Sequence, residues 1–275
     1  MDLLPDKIAE LVHELSVLPY NDMHGTVSSP LTLTNYTFWG IIALVTVVLM
    51  FTVAARRVSL KPAGRFTGII EVGVEFIRDM AVDVIGRKDG PKYTAFLATF
   101  FFMILMSNFY GLIPGGKSFA GSIGGTVALA LISWLVFVWV GITKNGFIGY
   151  FKSLIPSGVR EMPLGGRLVL GAYIFLLEFI STFLVRPLTL AVRLFANMYA
   201  GHIILGVFAA FVALFLPAFV PELRFSVGGG LVGIVSLLFL ILMYAFEVFV
   251  AFIQAYVFTI LTAVYIQSSV HASEH

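Results

Sequence analysis

The chain contains no cysteine, and only 12% of its 275 residues carry a charge. The first absence excludes disulfides, thiolate metal sites and cysteine nucleophiles. The second takes the chain out of the globular range, where about 25% of residues are charged. Charge of one sign is also scarce: 17 basic and 15 acidic residues leave a net +2, which supplies no basic field for nucleic acid. No HExxH pattern or metal-ligand cluster occurs, and His13, His24, His271 and His275 stand alone near the ends. What is abundant is apolar surface. Hydrophobic residues make up 59% of the sequence, aromatic residues 15%, and the mean hydropathy is +1.00. A soluble enzyme and a disordered tail are excluded, and the class is an all-α integral membrane protein with several crossings.

A bilayer core of about 30 Å takes about 20 helical residues to cross. Tyr36–Ala55, Tyr93–Ile113 and Ile123–Thr143 meet that length with no charge inside. Residues 1–35 begin acidic, with Asp2, Asp6, Glu10 and Glu14, and lack the basic start and cleavage site of a signal peptide. A short amphipathic helix is expected near Leu3–Leu18, ended by Pro19. Residues 65–85 set Phe66, Ile69, Ile70, Gly73, Ile77, Met80 and Val84 on one helical face, with Glu71, Glu75, Arg78, Asp79 and Asp83 opposite. That pattern predicts a helix lying in the inner interface or docked on a partner's surface.

Residues 168–216 and 228–267 are apolar runs separated by Pro217–Val227. At 1.5 Å per residue they would be about 70 and 60 Å long, more than ordinary tilts fit into the hydrocarbon slab. With no polar turn inside either run, the reading is a steeply tilted antiparallel hairpin. The organisation is therefore an outer segment 1–35, a first transmembrane helix 36–56, an interfacial helix and inner loop 65–90 and a helical hairpin 93–143. An inner loop 144–167, the long hairpin 168–267 and a tail 268–275 complete it. Basic residues sort by side. Arg56, Arg57, Lys61, Arg65, Arg78, Arg87, Lys88, Lys92, Lys144, Lys152, Arg160 and Arg167 fall in two loops, while the opposite side has only Lys7, Lys117 and Arg224. The positive-inside rule then puts the N-terminus outside and the C-terminus in the cytoplasm.

The long hairpin also holds every intramembrane charge: Glu178, Arg186, Arg193, His202 and Glu247. A charge at the bilayer centre costs about 2.5–3.5 kcal/mol on insertion scales, which makes each a functional candidate. At 100° per residue, Thr182, Arg186, Thr189, Arg193 and Asn197 form one stripe with Glu178 nearby, and His202 lies about opposite Arg193. Ser236, Glu247, Gln254 and Tyr265 share a face of the last helix. A guanidinium that does not deprotonate on one face, and an imidazole that can find a carboxylate on the hairpin partner on the other, suit proton movement.

One pattern misleads. Gly111-Leu-Ile-Pro-Gly-Gly116-Lys117-Ser118 spells a phosphate-loop motif, but that motif needs a preceding strand and a helix starting at the Lys. Here a membrane helix precedes it, so it reads as an exit turn.

The run Arg186-Pro-Leu-Thr-Leu-Ala-Val-Arg193-Leu-Phe-Ala-Asn197-Met-Tyr-Ala-Gly201-His202 closely resembles the signature of subunit a of the F-type ATP synthase. Glu247-x6-Gln254-Ala-Tyr-x-Phe-Thr-Ile-Leu-Thr262-x2-Tyr265 is similar to that family's last helix, and Ser107-Asn108-x5-Pro114 to its second span. The resemblance is specific over about 165–270, fair over 93–143 and architectural before 90. It implies a non-catalytic stator subunit beside a ring of c subunits, with subunit b of the peripheral stalk and the rest of the FoF1 complex as partners. On that likeness Arg193 matches the arginine that faces the ring carboxylates, and Asn197 and Gln254 match polar neighbours. Glu178 matches an acid of the inner access path, and His202 and Glu247 a coupled pair in the outer one. Many bacterial members carry Glu at the first position of that pair and His at the second; this sequence has them exchanged. Arg186, Asn108 and Tyr265 are secondary candidates. No cofactor or metal is expected; the implied ion is H+, with Na+ as the alternative, in a bacterial inner membrane.

A secondary transporter or ion channel using Arg193, His202 and Glu247 is the rival reading. It calls for repeats with matching interruptions in both halves, and the sequence shows none.

Overall fold

The structure, a computed structural model, describes residues 35–57, 64–113, 115–153, 164–216 and 227–270. The helix expected near Leu3–Leu18 falls outside those residues. Among the described residues every regular element is helical: α1 (Asn35–Arg57), α2 (Arg65–Ile85), α3 (Gly90–Leu112), α4 (Ile123–Asn145), the short α5 (Phe147–Ser153), α6 (Leu164–Ile180), α7 (Arg186–Phe215) and α8 (Val227–Val270). A five-residue π-helical turn, Ser181–Val185, joins α6 to α7 without a loop. Five stretches are long and apolar enough to cross a membrane: Tyr36–Arg56, Gly90–Leu112, Ile123–Asn145, the 47 residues Val169–Phe215 and the 41 residues Gly230–Val270.

Local chemistry sets the boundaries. Pro91 sits in the first turn of α3, where its missing N–H costs nothing. Ser118 Oγ accepts the Ala120 N–H to start a 3-10 turn, Phe119–Gly121, and Ser122 Oγ accepts the Gly125 N–H to cap α4. Gly146 ends α4 at φ 72°, a left-handed conformation that a side chain would strain. Lys117 thus enters a capped turn and Ser118 is fully buried, so the phosphate-loop spelling has neither its strand nor its free hydroxyl.

The last helix organises the bundle, packing against α2, α3, α4 and α7. Phe258 of α8 stacks on Phe100 of α3 at 5.8 Å. Ser133 and Thr262 hydroxyls meet at 3.0 Å across α4 and α8, and Asn145 Nδ2 donates to the Ser269 carbonyl at 2.9 Å. Around these bonds Leu97, Ile104, Phe137, Leu194 and Ile266 form a single apolar core with residues of α1 and α2. Outer faces remain apolar, as at Leu49, Leu135, Trp139 and Phe249, which suits helices bathed in lipid.

The two longest spans run antiparallel. Arg186 meets Tyr265, Asn197 meets Gln254, Gly201 meets Glu247 and Phe208 stacks on Phe239. The numbers fall along one helix as they rise along the other. At 1.5 Å per residue each exceeds about 60 Å, twice the hydrocarbon thickness, so neither fits upright.

The buried face of α2 differs from the expected one. Ile70, Ile77, Met80, Ala81 and Ile85 are buried, whereas Ile69 is 71% exposed. The stripe rotates because α2 packs on this chain's own α3 and α8, with Phe76 against Phe101, Phe252 and Tyr256. Glu71, Glu75, Arg78, Asp79 and Asp83 are exposed. At its foot Asp89 binds Lys92 at 2.7 Å and Lys144 at 3.0 Å, tying the start of α3 to the end of α4.

Candidate functional site: a polar seam along the long hairpin

Three polar groups follow one another along the α7–α8 hairpin. At the middle, Gln254 bridges the two helices. It takes a hydrogen bond from Asn197 Nδ2 through its Oε1 and donates from Nε2 to the Leu194 carbonyl at 2.8 Å. An α-helical carbonyl already accepts one bond, so this second donor pins the backbone beside Arg193. Arg193 itself is exposed, on a face of α7 shared with Ile204, Val207 and Phe211. Among the described residues no hydrogen bond or ion pair engages its guanidinium.

Toward the Lys117 end, the structure brings Glu247 and His202 to neighbouring positions without a direct ion pair among the described residues. Glu247 is 5% exposed, and its carboxylate rests against Gly201, in the space a Cβ there would take. One of its oxygens, Oε1, has no hydrogen-bond partner. His202 follows Gly201 and therefore points elsewhere. Its Nδ1 lies 3.0 Å from the Met198 carbonyl, and its Cε1 lies 3.2 Å from where a Cβ on Gly111 would be. That part of α3 is polar. Asn108, fully buried, accepts from Ser118 Oγ at 3.4 Å and reaches the Ala251 carbonyl at 3.5 Å, while Ser107 and Ser118 lie 3.3 Å apart. The imidazole thus faces α3, and the expected bond to the partner helix is replaced by a gap between two titratable groups. The residues that sequence reasoning missed are Gly111 and Gly201, the two surfaces on which these groups rest. The Gly-His dipeptide was the available signal.

Toward the Asp89 end, Glu178 and Arg186 approach to 3.8 Å, with side chains 44% and 23% exposed. The Arg186 guanidinium also lies 5.1 Å from the centre of the Tyr265 ring, a cation–π contact. Of the stripe expected from helical phase, Thr189 and Arg193 are exposed but Thr182 is buried. The π turn accounts for this, since it changes the angle per residue between Glu178 and Arg186. It forms where Pro187 can donate no N–H and its ring would clash with the carbonyl of Phe183.

On the Ser236–Tyr265 face, Ser236, Glu247 and Gln254 are buried. Among the described residues no group of three metal-ligating side chains occurs. The arrangement is two separated polar regions with a fixed cation between them, about 13 Å from His202 and about 22 Å from Glu178 along the helix. Such a chain belongs to the class of polytopic membrane proteins that move ions. Its sequence matches the family model described as ATP synthase A chain over residues 37–267. It is 36% identical to ATP synthase subunit a of Hyphomonas neptunium, over 99% of this chain and 100% of that one. It is also 39% identical to ATP synthase subunit a of Rhodobacter capsulatus, over 86% and 92%, and 38% identical to that of Frankia alni, over 91% and 82%. The chain belongs to the ATP synthase subunit a family.

Proposed function

We propose that the chain conducts protons to and from a ring of c subunits through two half-channels that do not meet. The supporting observation is Arg193, an exposed permanent cation beside Ile204 and Val207 with no ion pair among the described residues. A charge in that setting needs a partner from outside, and a carboxylate on a neighbouring ring helix supplies one. Protons enter from outside past His202 and Glu247, with water across the gap between them, and neutralise a ring carboxylate. The neutral carboxyl is cheap to desolvate and can turn through lipid. After nearly a full turn it gives up its proton to the path ending at Glu178. Arg193 attracts the arriving carboxylate, favouring proton loss, and its charge blocks leakage between the half-channels. Asn197 and Gln254 hold the backbone on which Arg193 stands.

Subunit b is the further partner in this reading, and the N-terminus lies outside a bacterial inner membrane with the C-terminus in the cytoplasm. ATP chemistry is left to the F1 part of the complex. The test is ATP-driven acidification of inverted vesicles by wild type and Arg193→Ala at equal amounts of assembled complex. Loss of acidification in the variant is the expected result, and pumping at the wild-type rate would sink the proposal.

A further inference from the structure

The π turn between α6 and α7 leaves a buried hydroxyl unbonded beside backbone carbonyls that lack their usual donor. The Arg186 N–H bonds the Ser181 carbonyl, five residues back. The next N–H along the chain would belong to Pro187, which has none. The Thr182 carbonyl, five residues before Pro187, and the Phe183 carbonyl, four before, therefore lose the donor that a regular helix would give them. Thr182 adds to the deficit. Its side chain is 2% exposed and its Oγ1 has no partner.

That hydroxyl is one of two buried threonine hydroxyls without a partner among the described residues, the other being Thr67 in the first turn of α2. The helical threonines whose preceding four residues are described otherwise donate to a carbonyl three or four residues back, as Thr46, Thr52, Thr99, Thr143 and Thr259 do. A fourth group lies close by. Trp134 of α4, its ring 5.7 Å from that of Phe183, has a buried indole N–H without a partner. A buried hydroxyl and a buried indole N–H left unbonded on neighbouring elements are rare, because each costs free energy in a medium without water.

We propose that this turn is a water-binding site, and that its water is the proton relay on the Glu178 leg of the ion path. A buried water typically makes about three hydrogen bonds, and the turn offers the donor and acceptors for them. The location fits. Thr182 stands four residues after Glu178 and four before Arg186, turned inward from the face that carries their 3.8 Å ion pair, on the stretch that bears the only carboxylate on that side of α7 among the described residues of the hairpin. In the relay the water accepts a proton on its Arg193 side and passes one of its own to the Glu178 carboxylate. One proton moves and no bond other than O–H is made or broken.

This inference rests on the half-channel reading of the chain, and the experiment separates the two. Thr182→Val keeps the shape of the side chain and removes the hydroxyl; Thr182→Ser keeps the hydroxyl. ATP-driven acidification of inverted vesicles is measured for both, beside Arg193→Ala, at equal amounts of intact complex. The expectation is a rate about two- to tenfold lower for Thr182→Val, the size of one lost hydrogen bond, and a rate near wild type for Thr182→Ser. Wild-type pumping by Thr182→Val, or an equal loss in Thr182→Ser, overturns the water site while a dead Arg193→Ala leaves the half-channels standing. Pumping by Arg193→Ala overturns the half-channels themselves. Should Thr182→Val not assemble, Thr182→Ala replaces it with the same outcomes.

Discussion

The carboxylate of Glu247 lies against the backbone of Gly201, in the volume that any side chain at 201 would fill. The two residues sit on opposite helices of the long hairpin, so the position of the acid is set by what its partner lacks. A methyl group there must push the carboxylate away or part the helices.

Gly201→Ala is accordingly expected to cut ATP-driven pumping, by the cost of overpacking a close contact, about 1–3 kcal/mol or about five- to 150-fold. Shortening the acid by one methylene removes the clash. The double variant Gly201→Ala/Glu247→Asp should therefore pump better than Gly201→Ala alone, and a double variant no better than the single one would show that Gly201 acts in some other way.

Arg193→Lys keeps the charge and loses the planar, five-donor head. Loss of the charge-assisted hydrogen bonds that only a guanidinium can make is worth about 1.5–3 kcal/mol, so coupled pumping should fall by about ten- to a hundredfold. Growth on a carbon source that requires oxidative ATP synthesis gives the simplest readout, and normal growth would refute the expectation.

Gln254→Leu removes the bridge that holds Asn197 and the Leu194 carbonyl together. The orphaned Asn197 side chain costs about 1–3 kcal/mol. Reduced pumping with Arg193 unchanged is the expected outcome, and a fully active complex would mean that Arg193 needs no such support.

Asp89 gives a pH dependence of stability. Hydrogen bonds from Lys92 and then Lys144 hold its carboxyl at about 2, well below its ordinary value of 3.8. A depressed folded-state pKa contributes stability above the unfolded value that is lost as pH falls through the folded one. The thermal dissociation midpoint of the complex should therefore drop between about pH 4 and about pH 2, and Asp89→Asn should lower it at neutral pH and flatten that part of the curve. An unchanged midpoint for Asp89→Asn would show that the cluster contributes nothing.

The spans and the hairpin were legible because apolar length is a one-dimensional property. Ser236, Glu247 and Gln254 were legible on one buried face because α8 is a single unbroken helix of 44 residues, over which 100° per residue holds. The same arithmetic failed across α6 and α7. Pro187 is visible in the sequence, but the π turn that absorbs it is a choice among backbone hydrogen bonds, so Thr182 left the expected stripe. The face of α2 was misjudged at Ile69 because several apolar residues compete there, and only the packing against α3 and α8 selects between them. His202 was expected to find a carboxylate. Its partner helix offers one, but Gly201 takes that contact and leaves the imidazole to α3.

The unequal construction of the two long helices has a mechanical consequence. A stator must resist the torque of whatever turns beside it. The last helix is an uninterrupted rod, bolted to the rest of the bundle by Ser133–Thr262 and Asn145–Ser269. Its neighbour is two rods with a joint at Ser181–Val185. Under load the bending gathers at that joint, several residues short of Arg193. The guanidinium rides on the stiff segment, cross-braced through Gln254 to the unbroken rod, so in the proposed mechanism the part of the subunit that would meet the moving charge is also the part that yields least.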